Sequence, residues 1–239
     1  MRHAMNNVSP LVLLAALLAG VGASAWAQPL SCSSDGVPRP VALLERFISA
    51  DCDVCWRDAA TPKPGRGELA LDWIAPGQRG DDAPLSAAAL RDALARLKEL
   101  GVAAPGTATN SRLPAHSKGH NLRVARGPSF NGYMGASIEL KPGSGGPWHA
   151  WLLLVEALPA GAAGSPVPRN LVRNVFQPDW GNPGPLSKRE QMRLFESRPM
   201  SIPPNANPLR LQVVGWVQDA QGRIQAIARS RCAPAAGKG

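Results

Sequence analysis

Cys52 and Cys55 stand three residues apart in FISADCDVCW, residues 47–56, at the end of an apolar run. Thiols at that spacing can do three kinds of chemistry. They can exchange with another disulfide, ligate a metal as half of a knuckle, or close a disulfide that only holds a turn. For exchange, the pair must sit where a strand passes into a helix. Unpaired N–H groups at the helix start then favour a thiolate on Cys52, the attacking sulfur, and Cys55 resolves the mixed disulfide from one turn on. Asp51 and Asp53 flank Cys52, and Asp58 follows. Negative neighbours disfavour a thiolate, so Cys52 is expected to be less acidic than in strongly oxidising enzymes, with Arg57 offsetting part of the effect. Glu45 precedes Cys52 by seven residues. Buried beneath the pair, it would shuttle the proton of Cys55; its plainer role is a solvated charge or a salt bridge with Arg46.

His116 and His120 would complete a Cys2His2 metal set. However, 60 residues separate the two pairs, far beyond zinc-finger spacing. No cofactor is expected. Ser129 and Ser137 lack a nearby His/Asp partner, and Gly143-Ser-Gly-Gly146 precedes a strand rather than a helix, so it offers no anion-binding terminus. Trp56, Trp73 and Trp151 could line a cleft by the cysteines, although buried core is the commoner role for each.

The elements that must position these residues are readable in part. Val41 to Ser49 is a buried strand leading into the cysteines. A short helix follows over Cys52 to Ala60, stopped by Pro62 and Pro64. Glu68 to Ile74 is a second strand. Leu85 to Leu100 has helical spacing at Leu90, Ala93, Leu94, Leu97 and Leu100, with Ser86 as cap, an Asp92–Arg96 pair and Gly101 as stop. Residues 102–120 read as a loop. Then come strand runs NLRVAR, YMGASIEL, HAWLLLVEAL, NLVRNVF, LRLQVVGWVQ and RIQAIARS, the last two joined by a turn at Asp219–Gly222. Residues 178–204 read as a Pro-rich loop carrying a short helix, SKREQMRLF, with a Ser187/Glu190 capping box. The class is α/β (α+β): β-α-β-α first, mostly β afterwards, with a boundary in 102–120.

The first residues read as a leader. Arg2 and His3 precede the apolar run Leu11–Ala23, and Ala25-Trp26-Ala27 is a small-x-small cleavage site. Residues 1–27 are expected to be a signal peptide and the protein to be periplasmic or secreted, with no transmembrane segment. In an oxidising compartment the four cysteines are expected to pair, locally as Cys52–Cys55, which leaves Cys32 for Cys232. The net charge of +9 invites a nucleic-acid reading, but the basic residues are scattered and no helix carries a Lys/Arg stripe. Loose association with anionic envelope surfaces is the expectation instead.

LLERFISADCDVC resembles the opening of domain-of-unknown-function family 1223, exported bacterial proteins predicted to be thioredoxin-like. Glu45, Phe47, Ser49, Cys52 and Cys55 match its strand-plus-cysteine motif. Leu69–Trp73 is similar to its second strand, and Arg173-Asn174-Val175 and the final hairpin to its tail. The resemblance implies a thioredoxin-like part over 28–110, a β-rich part over 111–239, and a proline in cis facing the cysteines, with Pro114 and Pro128 as candidates. Two functions are in play. One is thiol-disulfide exchange with protein or small-molecule thiols through Cys52, Cys55 and Glu45. The other is a non-enzymatic envelope protein with a static Cys52–Cys55 bridge and a partner-binding β-rich part.

Overall fold

The computed structural model describes residues 32–232, apart from 117–119, 143, 182–184 and 186. The expected leader and the side chain of Glu190 lie outside the described residues. Among the described residues, twelve strands form two sheets, accompanied by three α-helices. The five-stranded sheet runs β12 (Arg231–Cys232), β1 (Cys32–Ser33), β5 (Asn121–Phe130), β6 (Tyr133–Lys141) and β9 (Leu194–Ser201), all antiparallel. The seven-stranded sheet runs β11 (Ile224–Arg229), β10 (Leu211–Gln218), β7 (His149–Leu158), β8 (Arg169–Phe176), β3 (Glu68–Ala75), β2 (Ala42–Ser49) and β4 (Ala108–Pro114). Here β2–β3 and β3–β8 are parallel and the other pairs antiparallel. The molecule is therefore mixed α+β and mostly β.

The buried side chains form three cores, and alternation sorts those of β7 between the two larger ones. Ala150, Leu152 and Leu154 of β7 face the five-stranded sheet, where Leu122, Val124, Ile138 and Leu140 meet them. Trp151, Leu153 and Val155 face the other way, onto Phe47, Trp73 and α2 (Arg91–Glu99). Gly215 lets the sheets close together, since a Cβ there would stand 2.8 Å from Val124 Cγ1. Strands β2 and β3 are buried on both faces, which explains why apolar residues occupy both faces and why the charges they carry, Glu45, Arg46 and Asp72, are buried with partners.

Several expectations need correcting. The helix begins at Arg91, with Leu90 rather than Ser86 at its cap. Ala89 bridges to Ile74, and the Leu90 N–H bonds the Ile74 carbonyl, so this backbone is extended and the first part of the expected helix forms a 3-10 turn, Ser86–Ala88. Gly101 ends the helix at φ +66 as expected. Two segments read as loop contain strands, β4 within 102–120 and β9 within 178–204. Both are edge strands, where Pro114 and Pro199 are tolerated. The boundary drawn at 110/111 falls inside β4, and the seven-stranded sheet runs on across it.

The junction between β3 and β8 has a single register pair, Asp72 with Leu171. Side chains extend it. The Asn170 N–H donates to Asp72 Oδ2 at 2.8 Å, and Asn170 Nδ2 donates to the Ala70 carbonyl at 2.8 Å.

Candidate functional site

Cys52 and Cys55 are joined to each other, and Cys32 to Cys232, as expected. The Cys52–Cys55 bridge lies just past the carboxyl end of β2, the edge at which open α/β sheets present their sites. The strand turns as the Cys52 N–H bonds the Ser49 carbonyl, and α1 (Asp53–Trp56) follows as one helical turn with Cys52 at its cap. This is shorter than the 52–60 helix expected, and its dipole is correspondingly small. Cys52 is 8% exposed and Cys55 half-buried, so the residue expected to attack is the less accessible one. The Ser49 N–H bonds the Thr107 carbonyl, continuing the β2–β4 register and bringing the segment before β4 to the turn.

The acidic residues are occupied. Asp51 accepts the N–H groups of Gln78 and Arg79 at 2.7 and 3.3 Å. Gly77 leaves room for this carboxyl, since a Cβ there would stand 2.3 Å from it and displace it from these N–H groups. Asp53 pairs with Arg57 at 3.0 Å, and Asp58 accepts the Ala60 N–H. Each of these charges is at least partly balanced, which weakens the repulsion expected against a Cys52 thiolate.

Beneath α1 lies a buried cluster that the sequence did not single out. Asp72 is bonded by Arg46 Nη2 at 2.6 Å and by Arg169 Nη1 at 3.0 Å. Arg169 also donates to Ser165 Oγ, Thr61 Oγ1 and, through Nη2 at 2.8 Å, the carbonyl of Trp56, the last residue of α1. Its guanidinium sits 4.9 Å from the Trp56 ring centroid, and Trp56 Nε1 donates to the Ala163 carbonyl at 2.7 Å. Burial pulls the Arg169 pKa below the ordinary arginine value, with Asp72 opposing. The signal for this cluster was Asp72 itself, since a carboxylate inside an apolar run buried on both faces needs cationic partners.

Glu45 is not beneath the cysteines. It lies between Leu43 and Phe47 on the face of β2 toward α2, whereas Ile48, Trp56 and the half-buried Cys55 pack together on the opposite face. Its partner is Arg96, which donates through Nη2 at 2.7 Å and through Nε to both carboxylate oxygens, with Trp73 Nε1 as a further donor. Neither local pair expected, Glu45–Arg46 nor Asp92–Arg96, forms. Arg96 also reaches Glu99 and Gln218 and lies 5.3 and 5.1 Å from the ring centroids of Trp151 and Trp216. Burial opposes its charge, but Glu45 and then Glu99 outweigh it and hold its pKa above the ordinary value. Trp73 and Trp151 belong to this core rather than to a cleft by the cysteines.

Trp56 does line a recess. A groove of about 160 Å³ is walled by Trp56, Ile74, Leu85, Ala88 and Leu171, with Arg173 among its lining residues. Arg173 is already paired with Glu156 at 2.6 Å. The His residues go elsewhere: the His116 N–H bonds the Ile224 carbonyl, and the His120 ring packs edge-on against Trp148. Among the described residues no group of three or more His, Cys, Asp or Glu is placed to hold a metal ion, and no helix is long and apolar enough to cross a membrane. The cis peptide bonds among them precede Pro142 and Pro147, not Pro114 or Pro128. The chain matches no family model, no curated protein and no solved structure.

Proposed function

We propose that the protein is an exported, thioredoxin-like, divergent member of family 1223 whose Cys52–Cys55 disulfide exchanges with protein or small-molecule thiols. The reading rests on one observation: the bridge closes the turn at the carboxyl end of β2, half-exposed at Cys55, on a helix whose last carbonyl Arg169 holds. A short helix fixed from beneath keeps its place when the bond above it opens. Exchange then needs no rearrangement of the sheet. The occupied carboxylates of Asp51 and Asp53 lower the penalty on a thiolate. Exchange begins when an incoming thiolate attacks one sulfur of the pair and the other leaves as thiolate. It ends when a second thiol displaces the mixed disulfide.

The test is a titration with dithiothreitol, with trapping of free thiols by an alkylating agent. Cys52–Cys55 is expected to open and re-form while tryptophan fluorescence stays native, and Cys52→Ser is expected to abolish reduction of insulin. Equal inertness of wild type and variant in that assay would exclude exchange activity. It would leave the second reading, a static staple on a partner-binding envelope protein, which the low exposure of Cys52 favours.

A further inference from the structure

Among the described residues, buried arginines come with carboxylates, with one exception. Arg46, Arg96, Arg169 and Arg173 each have a carboxylate oxygen within 3.0 Å. Arg126, on β5 and 7% exposed, has none among the described residues. Its Nη1 donates to the Gly127 carbonyl at 3.2 Å, its Nε has no partner, and its Nη2 points at Cys232 Sγ from 3.1 Å. Burial lowers its pKa with nothing opposing. A buried cation without an anion is costly, and a sulfur in a disulfide is only a weak acceptor. A thiolate on the same atom would be the missing counter-charge.

We propose that Cys32–Cys232 is a second reducible disulfide, made so by Arg126, which stabilises Cys232 as a thiolate once the bond opens. The reductant is a dithiol. Cys32 is 2% exposed and Cys232 half-buried, so the first thiolate attacks Cys232 Sγ. The sulfur–sulfur bond breaks and Cys32 leaves with the electron pair and takes a proton. The second thiol of the reductant, as thiolate, then attacks its own partner sulfur, closes the oxidised reductant and expels Cys232 as thiolate beside Arg126. Two electrons enter the protein, one proton stays on Cys32, and one is released. A leaving thiol of lowered pKa leaves faster, and its stabilised thiolate shifts the equilibrium toward the open form.

The consequence is local. Strand β1 keeps its pairing to β5, reinforced by the Ser34 N–H to the Val124 carbonyl and the Val124 N–H to Ser34 Oγ. Among the described residues, strand β12 pairs with β1 alone, through Cys32–Cys232 and Ser33–Arg231. Opening the bridge therefore replaces a covalent tie at the edge of the five-stranded sheet by the Arg126–Cys232 ion pair and the β1–β12 pairing, and leaves the buried cores intact.

The experiment titrates the full protein with mixtures of reduced and oxidised dithiothreitol, traps thiols by alkylation and identifies the Cys232 peptide by mass. Wild type is expected to open Cys32–Cys232 with native fluorescence. R126M should need about tenfold more reduced over oxidised dithiothreitol, about 30 mV. R126K should stay near wild type, as should R123M, which removes the Asp35-paired arginine on the outward face of the same strand. Equal midpoints for R126M and wild type, or a wild-type bridge that opens only on unfolding, would overturn the proposal. Should R126M not fold, the reduced wild type decides. Half-maximal alkylation of Cys232 below the ordinary thiol value of about 8.5 supports the proposal, and at or above it refutes it.

Discussion

The β2–β3 pair carries a buried charge cluster on each face, and the two differ in what they hold. On the α2 face, Glu45 and Arg96 meet in a box of Trp73, Trp151 and Trp216, with donors to Glu45 and acceptors for Arg96 throughout. On the opposite face, Asp72 is shared between Arg46 and Arg169, and Arg169 spends its remaining donors on Ser165, Thr61 and the Trp56 carbonyl. The first cluster ties α2 to β2 and β10 within one core. The second joins the sheet to the cysteine turn. Burial and pairing alone do not separate a structural ion pair from one that bears on chemistry; the neighbours at the far end of the side chain do.

Four substitutions test this contrast. The largest effect is expected for E45A, which removes the buried carboxylate paired with Arg96 and leaves it the exposed Glu99 and the amide of Gln218. Stability should fall by about 3–5 kcal/mol and Tm by roughly 10 °C, with the dithiothreitol midpoint of Cys52–Cys55 unmoved. Calorimetry and the titration read the two quantities, and a shifted midpoint would merge the faces. R169M should cost less, about 2–3 kcal/mol, because Asp72 retains Arg46 and the Asn170 N–H. Its signature is faster reduction of Cys52–Cys55 at equal denaturant distance from unfolding. An unchanged rate would make the Arg169 cluster as purely structural as its counterpart. W56F removes one part-buried hydrogen bond, to Ala163, and keeps a ring against Arg169. About 1 kcal/mol is expected in urea unfolding.

The smallest effect is electrostatic. Asp219 follows Gln218, which serves Arg96. Burial raises its pKa, but Arg223 and the turn N–H groups outweigh burial and hold it below 3.8. A depressed carboxylate stabilises the fold above its unfolded pKa and is lost as pH falls through the folded one. The stability gap between wild type and D219N should thus be constant above pH 3.8 and close below it. A gap that survives strong acid would mean that the turn is held by something other than charge.

The sequence was legible where burial leaves a local imprint. Strand β7 has the bounds of its apolar run, β2 and β3 agree within a residue, and Gly101 ends its helix where the spacing stops. It was illegible where burial is partial or partners are distant. Strand β4, ATNSRLP, has no fully buried residue, so no apolar alternation marks it. Strand β9 carries Pro199, which only an edge position allows. Local spacing offered Glu45 its neighbour Arg46 and offered Arg96 a residue one turn away. The fold pairs them with each other across 51 residues, and a contact that long leaves no periodic trace. The cysteine pair itself was legible; what fixes its helix, Arg169, lies 113 residues beyond Trp56 and had to await the fold.

Cys32 and Cys232 are 200 residues apart and bonded. In covalent terms the stretch between them is a ring, with no loose end to start unravelling from. A protease that cuts any one exposed loop of that ring opens the circle without dividing it: both pieces remain one molecule. On a denaturing gel, the cut would show only after a reductant is added.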